Sequence, residues 1–328
     1  MTQALNIMKV AHLASQLGES SDSLVALSES MNEHCQPLLL IDPKKPDSSR
    51  VVLSPSRELR RVQRALYKTI LLRRLAPSLH SYGGIKGRSI VSNASQHIQS
   101  VYAFTTDIIS FYPSIRPQRV YDLFAGRLGC SPDVARIITR LCTYDHHLAL
   151  GLITSPFIAD QIMTPIDCRI AAACKKAGLV YTRFVDDISV SGPYRLDEKH
   201  SGIGNVLDRI LRENGFRTKP SKTHYGRTRD IKITKLRIKR GKVDVTSEYI
   251  KEIEADIECA ARLAAGTEVD RPFYPHNEIM GRIHFVKWVN PGREVDLARR
   301  VRRVSWSKAY KRAEETGLMR RKKEIRPC

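Results

Sequence analysis

Leu179-Val180-Tyr181-Thr182-Arg183-Phe184-Val185 runs directly into Asp186-Asp187 and on into Ile188-Ser189-Val190-Ser191. Both flanks alternate or are rich in β-formers, so the two carboxylates fall at the tight turn of a hairpin. Adjacent carboxylates on a turn repel, and a hard divalent cation such as Mg2+, which takes oxygen ligands, relieves that repulsion. An Asp-Asp pair is also a common turn sequence. Its context in the chain therefore decides its meaning.

Upstream, Val101-Tyr102-Ala103-Phe104-Thr105-Thr106 is a β-type run that ends at Asp107, and Ile108-Ile109-Ser110-Phe111-Tyr112-Pro113 then turns away towards a helix near 118–126. A third carboxylate is thus delivered at a strand end. Three carboxylates can hold two metal ions about 3.5–4 Å apart, one lowering the pKa of an attacking hydroxyl and the other steadying a leaving pyrophosphate. Helical stretches at 131–144 and 155–176 separate this strand from the hairpin, and a helix near 203–214 and a β-rich segment at 231–245 follow it. The layout is α+β, with helices on one face of an antiparallel sheet.

Two helical patterns occupy residues 1–35, and 37–49 reads as a connector into the first clear strand, Arg50-Val51-Val52-Leu53. Leu59, Val62, Leu66 and Ile70 then recur at helical spacing behind the helix-start residues Ser54-Pro55-Ser56. Tyr82-Gly83-Gly84-Ile85-Lys86-Gly87-Arg88-Ser89 is a glycine-rich loop without nucleotide-triphosphatase spacing. Beyond 246 the pattern is helical, with starts at Ser247-Glu248 and further helices over 277–289 and 295–310.

The chain has 55 Lys and Arg against 34 Asp and Glu, a formal charge of +21 that matches a polyphosphate partner such as nucleic acid. Its seven cysteines form no C-x-x-C pair, so neither a zinc site nor a disulfide framework is suggested, which fits a reducing compartment. Neither a signal peptide nor a membrane span is visible, so a cytoplasmic protein without a membrane partner is expected.

At this point a family resemblance is carried by specific residues. Asp107-Ile108-Ile109-Ser110-Phe111-Tyr112-Pro113-Ser114-Ile115, Gly151-Leu152-Ile153-Thr154-Ser155-Pro156 and Phe184-Val185-Asp186-Asp187, in that order, resemble the core motifs of bacterial retron-type reverse transcriptases. Arg50 to Pro55, Ser56-Arg57-Glu58-Leu59 with Gln63, and Asn93-Ala94-Ser95-Gln96-His97 are similar to fingers elements and to the retron Asn-Ala-x-x-His element. Gly215-Phe216 with Lys222-Thr223, and Lys232 to Leu236, resemble later palm motifs. The likeness spans about residues 50–255.

The resemblance implies a right-hand polymerase. Residues 1–35 would be an N-terminal helical extension, 36–245 fingers and palm, and 246–328 a basic helical thumb, with no nuclease domain. It implies an RNA-directed DNA polymerase that copies a structured non-coding RNA into DNA from deoxynucleoside triphosphates. Priming from an RNA 2′-hydroxyl and an anti-phage role beside an effector protein go with it. Asp107, Asp186 and Asp187, with Ile108, would hold two Mg2+ ions, Mn2+ being a substitute. Arg50, Ile109, Ser110, Phe111, Tyr112, Gly151 and Lys222 would bind the nucleotide, with Tyr112 as the gate against a ribose hydroxyl. Asn93, His97, Arg299 and Arg303 would contact RNA. From the residues alone, an aromatic core residue is the better reading of Tyr112 and a structural histidine that of His97, while Gly151 could be an ordinary loop glycine.

Three positions depart from the family pattern. Pro-Gln-Gly is replaced by Ala149-Leu150-Gly151, the following asparagine by Asp160, and Val-Thr-Gly by Ile233-Thr234-Lys235. A defence-associated or abortive-infection enzyme with unusual templating or priming, and a catalytically idle RNA-binding scaffold for an effector protein, remain the alternatives.

Overall fold

The computed structural model describes residues 6–42, 45–197, 201–319 and 324–327. Helices α1 (Val10–Leu17) and α2 (Ser21–Glu29) open it. Their Leu13, Leu17, Leu24 and Leu27 are buried in the same core as the helices that follow. The N-terminal stretch therefore shares one core with residues that run on to Phe216.

Strands β1 (Cys35–Asp42) and β2 (Lys45–Pro55) pair antiparallel, with Leu40 opposite Arg50. The connector expected over 37–49 is thus mostly strand. Pro37 is tolerated because Leu53, its partner in register, sends its N–H to the Leu150 carbonyl, so that pair exchanges no hydrogen bond. Ser56 caps α3 (Arg57–Ala65) by accepting from the Leu59 N–H, and the helix widens at Leu66–Leu71 before ending in α4 (Leu72–Arg74). Leu59, Val62, Leu66 and Ile70 are fully buried, as their spacing predicts. Buried Gln63 donates to the Leu141 carbonyl and accepts from the Ile153 N–H, tying α3 to the loop at Ile153.

The central sheet follows α5 (Ile90–Ser95). It contains β3 (Tyr102–Asp107), β4 (Val180–Phe184), β5 (Asp187–Gly192) and β6 (His224–Arg227) in the order β4-β5-β3-β6, with every pairing antiparallel. Between β3 and β4 lie α6 (Pro117–Asp122), α7 (Pro132–Cys142) and α8 (Ser155–Lys176), and α9 (Ile203–Glu213) precedes β6. Alternation puts Phe104, Tyr181 and Val190 on the face covered by α8 and α9, while Thr105, Asp107, Asp187 and Ser189 take the other face. The fold class is α+β, as expected.

A second core gathers Ile233 to Ala313 with Ala94 of α5. It joins the hairpin β7 (Leu236–Lys239) and β8 (Lys242–Val245) to α10 (Ser247–Ala265), α11 (His276–Val289), α12 (Val295–Arg302) and α13 (Trp306–Thr316). The hairpin therefore shares its core with the helical part. Where the sequence suggests one helix over 295–310, two are found. The break falls at Ser305, and the Trp306 indole N–H donates to the Val301 carbonyl that the Ser305 N–H would have served in a continuous helix. Strand β9 (Glu324–Pro327) returns to pair with β1, Leu39 opposite Arg326, which nothing in the sequence pattern announced.

Candidate active site

Asp107 ends β3 directly opposite Asp187, the first residue of β5, and Asp186 stands in the two-residue turn between β4 and β5. One carboxylate oxygen from each lies within 4.8 Å of the others. Burial, followed by the charges of Asp186 and Asp107, pushes the Asp187 carboxyl up to about 7, and burial with Asp107 raises Asp186. Such a cluster calls for positive charge. The Lys222 ammonium contacts Asp107, and Lys222 and Arg50 both act to hold the Asp186 carboxyl down. An all-oxygen donor set of this kind suits a hard divalent ion better than a thiophilic metal.

The backbone fixes these groups in place. Ile108 donates its N–H to the Asp186 carbonyl at 3.0 Å, Ile109 donates to Arg217 at 2.9 Å, and Lys219 donates to Asp107 at 2.8 Å. The Ile108 carbonyl is not an acceptor in any of these bonds. Val185, the first turn residue, has φ +59°, a conformation that costs a β-branched residue on the order of 1–3 kcal/mol. The glycine-rich loop lies directly on this turn. A Cβ on Gly83 would come within 2.5 Å of the Val185 side chain, and across the loop and β4 the Tyr82 N–H donates to the Arg183 carbonyl at 2.7 Å while the Arg183 N–H donates to the His80 carbonyl at 2.8 Å.

Burial, followed by the Asp186 charge, pushes the Tyr112 hydroxyl up to about 12. Phe111 is buried between Tyr112 and Phe216, with ring centroids 5.4 and 6.0 Å away. Gly151 is needed for a reason the sequence did not suggest. It has φ +106°, and a Cβ there would lie 2.1 Å from the Leu53 carbonyl, so the glycine lets the loop press against β2. Leu150 is 36 % exposed and accepts the Leu53 N–H through its carbonyl, so its side chain is presented on the surface.

A family model for reverse transcriptase (RNA-dependent DNA polymerase) matches residues 42–239, well over half of the chain. This chain is a retron-type reverse transcriptase. It is 32% identical over 219 residues to the Retron Ec86 reverse transcriptase of Escherichia coli, covering 66% of this chain and 67% of that one. Against the Retron Ec48 reverse transcriptase of Escherichia coli it is 26% identical over 293 residues, covering 85% and 71%. Against the Retron Se72 reverse transcriptase of Salmonella heidelberg it is 27% identical, covering 63% and 56%. Its activity is that of an RNA-directed DNA polymerase.

Two positions in the reverse transcriptase require correction. His97 and Asn93 were expected to face RNA, yet both are buried. His97 Nδ1 bonds Ser191 Oγ at 2.6 Å and Nε2 bonds Thr182 Oγ1 at 2.8 Å, and burial lowers its pKa to about 4, so it is a neutral core histidine. Asn93 donates to Thr234 Oγ1 at 2.8 Å. The Asn-Ala-x-x-His element thus meets the Ile233-Thr234-Lys235 element inside the protein, and neither side chain is available to RNA. Arg299 and Arg303, in contrast, lie exposed at the end of α12.

Arg183, Asp160, Asp167 and Ser78 escaped the sequence expectations as site residues. Arg183 sits among apolar neighbours on β4, and an inward cation in such a run requires buried acids. That was the available signal. Among the described residues no helix is long and apolar enough to cross a membrane.

Proposed function

We propose that this reverse transcriptase copies a structured non-coding RNA into single-stranded DNA, leaving an RNA-DNA hybrid, as part of an anti-phage system with an effector protein. The observation that carries the reading is the convergence of Asp107, Asp186 and Asp187 on the face of the sheet opposite α8 and α9. Asp107, Asp186, Asp187 and the Ile108 carbonyl would hold two Mg2+ ions, or Mn2+ in their place. When bound, such ions activate a hydroxyl nucleophile and offset charge on leaving pyrophosphate.

Arg50 and Lys222 bind the triphosphate, Lys222 exchanging its contact with Asp107 for phosphate. Because Ile108 and Ile109 have committed their N–H groups, phosphate contacts fall to the backbone of Ser110 to Tyr112. Tyr112 closes the space next to the sugar C2′ and selects deoxynucleotides. Exposed Arg299 and Arg303 hold the duplex backbone without reading sequence.

Deep sequencing of nucleic acid that copurifies with the protein tests this reading. A bound structured RNA and a covalent RNA-DNA product are expected. Recovery of neither would contradict a dedicated RNA while leaving polymerase activity to be measured on its own.

A further inference from the structure

Arg183 is 1 % exposed although it stands two residues from the turn that carries Asp186. Its Nε donates to Asp167 Oδ1 at 2.9 Å, and its Nη2 donates to Asp167 Oδ2 at 2.7 Å and to Asp160 Oδ1 at 3.1 Å. Nη1 donates to the Val185 carbonyl at 2.9 Å. Asp160 and Asp167 project from one side of α8, two turns apart, and are themselves held. Tyr181 and Ser78 hydroxyls donate to Asp167, each at 2.8 Å, and the Ser78 N–H donates to Asp160 at 3.0 Å.

Two buried carboxylates against one guanidinium leave the cluster with surplus negative charge. Buried ion clusters of this kind are often no more stable than apolar packing. Stability is therefore a weak reason for the cluster, and its fourth bond supplies a better one. That bond ends on Val185, whose φ of +59° sets the direction of the adjacent Asp186.

We propose that Arg183, aligned by Asp160 and Asp167, is a positioning residue that locks the Val185-Asp186 turn so that Asp186 and Asp187 face Asp107. Asp160 then has a reason to replace the asparagine usual in the family. It presents a full charge to the guanidinium, where an amide would present a dipole and would offer Ser78 a donor in place of an acceptor. Lysine cannot substitute for Arg183, because an ammonium lacks the planar fork that reaches two carboxylates and a carbonyl together. The inference rests on the three aspartates being a metal-binding polymerase site.

The test compares wild type, Arg183→Lys and Asp160→Asn, with Asp186→Asn as the baseline for metal binding. Mn2+ affinity is measured by electron paramagnetic resonance without substrate, folding by thermal melting, and single-nucleotide extension against template-primer concentration. Both variants are expected to lose Mn2+ affinity roughly tenfold or more, as is usual when a support behind metal ligands is removed. Their kcat should fall while KM for template-primer stays unchanged.

Wild-type Mn2+ affinity and wild-type kcat per folded molecule in both variants would overturn the positioning role. A rise confined to KM would overturn it as well. Should Arg183→Lys fail to fold, Asp160→Asn decides alone, since it keeps the side-chain shape and one acceptor for Arg183. A wild-type protein that binds Mn2+ no better than Asp186→Asn would overturn the polymerase site and this inference together, whereas an active wild type beside unaffected variants would overturn the lock alone.

Discussion

Asp187 is the residue at the site whose charge changes near neutrality. Its carboxyl, ordinarily 3.8, is pushed up to about 7 by burial and by the two other aspartates. An acid whose pKa is raised by folding holds its proton more tightly when folded, so this group's contribution to stability falls as pH rises from about 4 to about 7. A divalent cation competes with that proton. Mg2+ is therefore expected to raise the melting temperature more at pH 8 than at pH 6, and Asp187→Asn should abolish the difference; calorimetry at the two pH values checks this. Lys235 offers a second test, because it stands at φ +69° where the family carries glycine. Lys235→Gly should stabilise the protein by about 1 kcal/mol, measured by urea unfolding, since the left-handed conformation penalises a Cβ by about that amount.

Asn93 of α5 and His97 just beyond it tie the second core to the sheet through polar side chains, and their spacing of four suggested a shared face for RNA in the sequence. His97, with its pKa lowered to about 4, stays neutral in the fold and would charge near 6.5 when unfolded. Its contribution to stability is present above pH 6.5 and is lost as pH falls towards 4, the opposite slope to Asp187. His97→Gln should flatten that acid limb and cost about 1–3 kcal/mol, because Ser191 and Thr182 each lose a buried partner. Denaturant melts at pH 7 and pH 5 separate the two effects. In the segment before α8, Gly151→Ala should destabilise the contact with β2 by about 2 kcal/mol, a strained φ adding to the collision with the Leu53 carbonyl. The same change should depress synthesis by shifting β2, which carries Arg50.

Across the whole molecule, the charge of +21 makes nucleic-acid binding dependent on salt. Removing Arg299 or Arg303 should weaken binding evenly across sequences and lower the salt slope by about 1 each, measured by filter binding over a salt series. The sheet and the carboxylate cluster were legible in the sequence because adjacent acids between two β-rich runs, and a third acid ending another, have few structural uses. Arg183 with Asp160 and Asp167 was not legible, because partners 16 and 23 residues apart meet only once α8 packs on β4. Strand β1 was hidden by Pro37, whose place depends on Leu53 turning its N–H elsewhere. The helix break at Ser305 depends on one indole N–H. The most direct measurement of the central claim is incorporation of labelled deoxynucleotides on a primed RNA with Mg2+, comparing wild type with Asp186→Asn. Extension by the wild type and none above background by the variant is the predicted result; equal incorporation by both proteins would contradict catalysis at Asp107, Asp186 and Asp187.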